Sequence, residues 1–292
     1  MESVRAVFAG LTTWDVIQLV ERVPAPDEKV AGLDFLTAAG GPVTNAAVAF
    51  AHCGGSPTLV TALPEHPLSF LIGEDLLAHG VRLVPAATYP GAPITASISV
   101  TQSTGERAVV SPYAAAQGED LSPVPADPAL LDGDDSNPAG AVLIDGYFRH
   151  VSLPIAAAAR ERRIPVILDA SSVKPYLPQV LEHVDLAVVS AAFSPGGDVF
   201  EFLAAHGVTR AVVTGGAGPV RWRTPAVQGE YAVPRVANVV DTLGAGDFFH
   251  GALTYRVAKL GLDDARLAED IAFASAVAGR SLGSFGTRAW LG

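Results

Sequence analysis

Residues 238–252 hold the densest concentration of chemistry in the chain. There Asn238-Val239-Val240-Asp241-Thr242-Leu243 leads into Gly244-Ala245-Gly246-Asp247, and the strongly helical Phe248-Phe249-His250-Gly251-Ala252 follows. A helix that starts on Gly-Ala-Gly carries no bulky side chain over its first-turn N–H groups, which point outward and bear the positive end of the helix dipole. Such a helix start is an anion hole. The loose transition state of phosphoryl transfer spreads charge over peripheral oxygens, and fixed N–H donors stabilise that charge without reorganising. Asp247 stands directly after the hole, where a carboxylate within reach of an acceptor hydroxyl would orient it and take its proton. An acid that merely stabilises its own helix fits the spacing equally well.

A loop of this kind needs a scaffold to position it. Short β-branched runs alternate with helical segments along the chain, the pattern of a mostly parallel sheet covered on both faces. Strands are expected over residues 4–10, 58–63, 141–146, 165–170, 186–190 and 211–215, most of them apolar nearly throughout, as doubly buried strands should be. Helices are expected over 43–53, 68–79, 153–162, 199–206, 245–260 and 264–282. Two stretches break the rhythm: residues 14–39, and residues 94–113, where strands 95–101 and 107–113 alternate around the turn Gln102-Ser103-Thr104-Gly105. Together they suggest a small inserted β lobe that could close over a ligand; an ordinary edge hairpin satisfies the same pattern.

A length of 292 residues suits one large α/β domain, or a main domain with an accessory lobe, and excludes a minimal binding module. With 49% hydrophobic and 17% charged residues, and a mean hydropathy of +0.34, the chain has the material for a large core. Nineteen Lys+Arg against thirty Asp+Glu give a net charge of -11, a field that repels nucleic acid and anionic membrane surfaces. A small anion can still be held locally by arginines and backbone N–H groups. Cys53 is the single cysteine, so no intramolecular disulfide forms; with no secretory leader and no apolar run near membrane-spanning length, a cytoplasmic protein is expected. None of the lysines, at 29, 174 and 259, follows a glycine, which removes a Walker-type phosphate loop. Neither Gly216-Ala217-Gly218 nor Gly244-Ala245-Gly246 continues to the third glycine of a dinucleotide fingerprint.

Asp241-Thr242-Leu243-Gly244-Ala245-Gly246-Asp247 resembles the second signature of the ribokinase-like (PfkB) sugar kinase family, Asp-Thr-x-Gly-Ala-Gly-Asp, at every fixed position. Gly40-Gly41-Pro42-Val43-Thr44-Asn45-Ala46-Ala47, followed by Gly54-Gly55, is similar to that family's N-terminal Gly-Gly-x-x-x-Asn-x-Ala pattern. The likeness runs nearly end to end, from residues 7–15 to residues 279–286. It implies a ribokinase-like α/β fold, a mostly parallel sheet flanked by helices, with residues 1–292 forming one domain and about 14–39 and 94–113 a small inserted β-sheet lid.

The resemblance also implies ATP-dependent phosphorylation of a hydroxyl on a sugar or sugar-like substrate. Asp247 would be the base, Gly244, Ala245 and Gly246 the anion hole, and Asp15, Gly41 and Asn45 would hold substrate hydroxyls. Thr214-Gly215-Gly216-Ala217-Gly218 resembles the family's Thr-x-Gly-x-x-Gly loop, which would set Thr214, Gly216 and Gly218 near the ATP phosphates and ribose. Within the family, residues 15–20, 103–107 and 239–247 and Asp27 are most similar to ketohexokinase; by that likeness Arg107, on a lid hairpin, would reach a phosphate, and Asp27 would reach substrate from its own or a partner's lid.

Three departures qualify the likeness. Ser190-Ala191-Ala192-Phe193 stands where many members have Asn-x-x-Glu, so magnesium is expected to accompany ATP through phosphates and water instead of a protein carboxylate. Pro42 replaces an amide of ketohexokinase, which sets fructose itself in question. Asp241, Ser281 and Gly286 fall where some members bind potassium. The resemblance thus implies an ATP:sugar phosphotransferase acting on a hydroxyl, expected to be primary, of a ketose or other small sugar, in a homodimer paired through its β lids. A nucleoside kinase on the same fold and a catalytically silent sugar- or nucleotide-binding regulator are the alternatives.

Overall fold

The computed structural model describes residues 3–112, 122–123, 127–133 and 137–292. In chain order the elements are β1 (Arg5–Ala9), β2 (Thr13–Val20), β3 (Gly32–Gly40), α1 (Pro42–His52), β4 (Ser56–Ala62), α2 (Pro67–Ala78), β5 (Arg82–Thr88), β6 (Thr95–Thr101), β7 (Arg107–Val110) and β8 (Ser122–Pro123). They continue with β9 (Ala141–Ile144), α3 (Arg149–Glu161), β10 (Val166–Ala170), α4 (Leu177–Leu181), β11 (Leu186–Ser190), α5 (Val199–Ala205), β12 (Ala211–Gly215), β13 (Gly218–Arg223), β14 (Gln228–Tyr231), α6 (Ala245–Leu260) and α7 (Leu267–Ser281).

The main sheet has the order β14-β13-β12-β11-β10-β9-β1-β4-β5-β8 and is parallel from β12 through β5. Its central strands are apolar along most of their length because each face is covered. Val7 and Ala9 of β1 join a layer with α3, α4 and α5, while Ala6 and Phe8 join a layer with α1, α2, α6 and α7. Phe50 of α1 meets Phe8 and Tyr255 edge-on, at centroid separations of 5.4 and 5.6 Å, and so ties β1, α1 and α6 together. Gly251 brings α6 against α1: a Cβ at that position would lie 2.1 Å from the carbonyl oxygen of Ala46.

A second sheet, ordered β3-β2-β6-β7, stands beside the main one. The β6–β7 hairpin anticipated from the sequence is present, and β7 ends at Val110; the expected strand end at residue 113 lies outside the described residues. The sheet is mixed rather than antiparallel throughout, since β2 pairs in parallel with β6. Ile17, Ala96, Ile98 and Val100 form its small core, packed with Leu243 and Phe285 of the main body. Phe35 and Val110 are exposed at 59% and 75%, so part of the sheet's apolar surface is uncovered.

Boundary differences have local causes. The helix expected from 153 begins at Arg149, with Pro154 inside its first turns rather than at its start. The last helix begins at Leu267 instead of 264 because the Asp263 carboxylate accepts the Ala265 N–H at 2.9 Å, forming a turn before the helix. Strands β5, β13 and β14 and helix α4 were not legible: β5 carries Pro85 and β13 alternates arginine with apolar residues, so neither reads as a buried run.

Candidate active site

Open α/β sheets collect ligand-binding groups beyond the carboxyl ends of their strands. At that edge β1 leads to Gly10, β9 to Asp145, β10 to Asp169, and β12 to Thr214, and the starts of α1 and α6 converge there.

The start of α6 is shaped by glycine. Gly244 caps it in the left-handed conformation, φ 75°, and a Cβ there would press to 3.0 Å on the Phe248 ring. A Cβ on Gly246 would meet nothing within 4 Å, so the space before these first-turn N–H groups is open. Asp247 follows, half-buried, and its Oδ2 accepts the Asn45 Nδ2 hydrogen bond at 2.9 Å. Burial pushes the Asp247 carboxyl up to about 7 and the neighbouring Asp169 carboxylate adds to the rise, while Asn45, His250 and Arg107 oppose it. Such a carboxylate is a stronger base than an exposed aspartate and is still ionised at neutral to alkaline pH.

Asn45 owes its place to the turn before α1. Gly41, with φ 101°, packs so tightly on the Leu11 carbonyl that a Cβ would fall 2.3 Å from its oxygen. Pro42 opens the helix at a position where no N–H is needed. Asp15, buried on β2, accepts the Thr13 hydroxyl at 2.6 Å and sits directly over Gly40, where a Cβ would lie 2.0 Å from its Oδ2. Burial raises its carboxyl to about 6, against the pull of Thr13 and of the Arg288 charge.

The hairpin of the second sheet reaches the same loop. The Gly105 carbonyl accepts both the Thr242 N–H, at 3.0 Å, and its hydroxyl, at 2.8 Å. Arg107 Nη1 lies 3.3 Å from the Thr242 hydroxyl, so an exposed guanidinium stands beside the loop that leads into α6. Asp27 is exposed in the β2–β3 connection and shares no hydrogen bond or ion pair with these groups among the described residues. Thr214, Gly216 and Gly218 form the tight β12–β13 turn, in which Gly216 takes φ 62°.

Ser190 bonds to the Ala192 N–H at 3.3 Å, and Phe193 is buried in the core, so this segment offers no carboxylate for magnesium. Among the described residues no group of three or more His, Cys, Asp or Glu could hold a metal. Around the expected potassium position, Asp241 accepts the Leu243 and Gly286 N–H groups at 2.8 Å each, and the Ser281 hydroxyl turns back to Ala278. The same loop holds two buried hydroxyls without a hydrogen-bond partner among the described residues, Ser284 and Thr287.

Sequence reasoning missed Asp145, Asp169, Lys174, His250 and Arg288. An acid directly after or within the last residues of an apolar strand was a usable signal for Asp145 and Asp169. Asp145 accepts the Leu11 and Tyr147 N–H groups at 2.9 Å, which locks the ends of β1 and β9 together. Lys174 is buried, donates to the Asp145 carbonyl at 3.2 Å and lies 3.8 Å from the Tyr147 ring centroid; burial lowers its ammonium. His250 Nδ1 lies 2.7 Å from the Gly246 carbonyl and 3.4 Å from Asp169. Arg288 had no local signal, because its partners lie far away in the chain.

Comparison with known proteins accords with this geometry. A family model described as pfkB family carbohydrate kinase matches residues 4–291. Among solved structures, a ribokinase from Giardia lamblia is similar with a TM-score of 0.81 at 20% identity, covering 99% of this chain and 96% of its own. A ribokinase from Arabidopsis thaliana complexed with ribose and ATP gives 0.72 at 21% identity, with 98% and 94% covered. A nucleoside kinase from Methanocaldococcus jannaschii gives 0.72 at 17% identity, again over 98% and 94%.

Proposed function

Because the chain belongs to the pfkB family of carbohydrate kinases, phosphotransferases that act on an alcohol, we propose that it transfers the γ-phosphoryl group of ATP to a hydroxyl, a primary one, of a ketose or other small uncharged sugar. The observation that carries this reading is the Asn45–Asp247 hydrogen bond at the open start of α6, which sets a polarised carboxylate beside an unobstructed row of N–H groups. The acceptor hydroxyl gives its proton to Asp247 as its oxygen attacks phosphorus, and the N–H groups of Gly244, Ala245 and Gly246 receive the charge on the peripheral oxygens. Asp15, Gly41 and Asn45 hold the sugar: a buried carboxylate accepts from a diol, an amide donates and accepts, and a glycine lets the ring approach the backbone. With Asp169 beside Asp247, an acidic or phosphorylated acceptor would be repelled, which favours an uncharged one.

Thr214, Gly216 and Gly218 take the nucleotide, and Arg107 adds charge at the transferring phosphate. Magnesium, when bound with ATP, neutralises phosphate charge; this chain leaves it to phosphates and water at Ser190 and Phe193. A potassium ion beside Asp241, Ser281 and Gly286 would find the spare oxygens of Ser284 and Thr287. The second sheet acts as a lid over the acceptor, and its exposed Phe35 and Val110 face supports pairing of two lids in a homodimer, with Asp27 able to reach toward either site. No helix among the described residues is long and apolar enough to cross a membrane, and use of ATP suits a cytoplasmic enzyme.

An ADP-release screen over ketoses, aldoses, polyols and nucleosides tests the reading. Turnover with a small sugar supports it. Turnover with nucleosides alone moves the acceptor to the class named for the archaeal neighbour, and ATP binding by calorimetry without turnover of any acceptor turns the protein into a silent regulator.

A further inference from the structure

An amide side chain can present either its oxygen or its nitrogen to a neighbour, and its partners decide which. Asn45 is decided from both sides. Its Oδ1 accepts from Arg288 Nη1 at 3.2 Å, and its Nδ2 donates to Asp247 Oδ2 at 2.9 Å. A guanidinium can only donate and an ionised carboxylate can only accept, so with Asp247 ionised only one orientation satisfies both contacts. Without Arg288 the amide is free to turn its oxygen toward Asp247, where two acceptors would repel each other.

Arg288 is itself tightly held. Its Nη2 donates to the Ala39 carbonyl at 2.6 Å and to Asp75 Oδ2 at 2.9 Å, its Nε points to the same Asp75 oxygen at 3.3 Å, and Nη1 also reaches the Thr287 carbonyl at 3.2 Å. Asp75 in turn accepts the Ala39 N–H at 3.2 Å, so the Ala39 peptide is gripped on both edges. Ala39 is the penultimate residue of β3, at the root of the second sheet, and Asp75 belongs to α2. The side chains of Arg288 and Asp75 are only 13% and 17% exposed, so water competes weakly for these bonds.

We propose that Arg288 is a positioning residue: it orients the Asn45 amide so that its N–H holds Asp247 as an ionised acceptor, and it links that setting to the root of the second sheet. The inference rests on the reading of Asp247 as the base. Asp247 also faces Asp169 from β10, His250 from its own helix and Arg107 from β7, and Arg288 also acts on Asp15, so the effect must be separated from these charges.

The test is a 13Cγ NMR titration of aspartate-labelled protein, with Asp247→Asn identifying the Asp247 resonance. Arg288→Met should move the Asp247 midpoint upward by about one pH unit or more, the scale of one hydrogen bond to a charged group. Because Arg288→Met strands the Asp75 carboxylate, the double variant Arg288→Met/Asp75→Asn is titrated beside it and should show the same shift. In an Asn45→Ala background the Arg288 substitution should move the midpoint hardly at all. No shift, or an equal shift with and without Asn45, overturns the proposal. The acid limb of the kcat/KM profile, measured on the same proteins, should follow the titration. If the wild-type protein phosphorylates no acceptor while the titration shows the coupling, the kinase reading falls and the role of Arg288 in setting Asp247 stands.

Discussion

The starts of α1 and α6 are joined by the Asn45–Asp247 hydrogen bond and the two helices close over Gly251, whereas the hairpin end of the second sheet rests on the body through a few apolar side chains and one turn. Between the helices there is no slack: Gly251 lies on the Ala46 carbonyl, and Arg288, Asn45 and Asp247 follow one another donor to acceptor, while Gly41 before α1 lies on the Leu11 carbonyl of the β1–β2 connection. Under the sheet, Ile17, Ala96, Ile98 and Val100 make a small core, Gly105 bonds to Thr242, and apolar side chains remain exposed outside. The contrast separates two tasks. Under the proposed function, the groups that need fixed distances for proton and phosphoryl transfer sit on close-packed helices, and the element proposed to cover the acceptor is attached at its hairpin by fewer contacts.

Breaking the rigid side should have the largest effect. Gly251→Val forces α6 away from α1 and should cost about 1–3 kcal/mol in thermal unfolding. It should also lower kcat more than tenfold, on the order expected when reacting groups are misplaced. On the hairpin side, Arg107→Ala should slow phosphoryl transfer by about 10- to 100-fold in kcat. It should leave sugar affinity and the melting temperature nearly unchanged, since its contacts are exposed. A loss of sugar affinity with kcat intact would place Arg107 in the acceptor pocket.

Proton linkage sharpens the contrast further. The Asp247 carboxyl titrates at about 7 in the folded protein against 3.8 for an ordinary aspartate, so the folded state binds this proton more tightly than the unfolded one. Stability from this group is present at low pH and is lost as pH rises from about 4 to about 7, while activity, which needs the ionised base, rises over the upper part of that window. Asp247→Asn should therefore melt higher than wild type at pH 8, by on the order of 2 °C or more, with the gap closing toward pH 4. The smallest effect on the single chain is expected at the sheet's outer face. If two such sheets pair as proposed, Val110→Lys should shift the sedimentation coefficient from dimer to monomer with little change in the far-ultraviolet spectrum.

These regions also differ in how far the sequence discloses them. The doubly buried strands and the Gly-Ala-Gly start of α6 are legible because the residue types follow from local physics: apolar runs, small residues, one acid. The β6–β7 hairpin is legible from alternation and its Gly105 turn. What stays hidden is set by tertiary contact. Arg288 lies in the last turn of the chain, and its partners Ala39, Asn45 and Asp75 are reached only after the fold closes. His250 reads as one more helix residue until β10 places Asp169 against it. The short arginine-bearing β13 pairs antiparallel with β12 and β14 at one end of the sheet, one strand in from its edge, where its alternating pattern is half exposed.

The central claim is that Asp247 is the base of an ATP-dependent transfer to a sugar hydroxyl. It is tested most directly by initial-rate ADP release with saturating magnesium ATP and the best acceptor, comparing wild type with Asp247→Asn. The account predicts that kcat falls by about 10² to 10⁴ while ATP affinity measured by calorimetry is retained. Undiminished turnover by Asp247→Asn would contradict it.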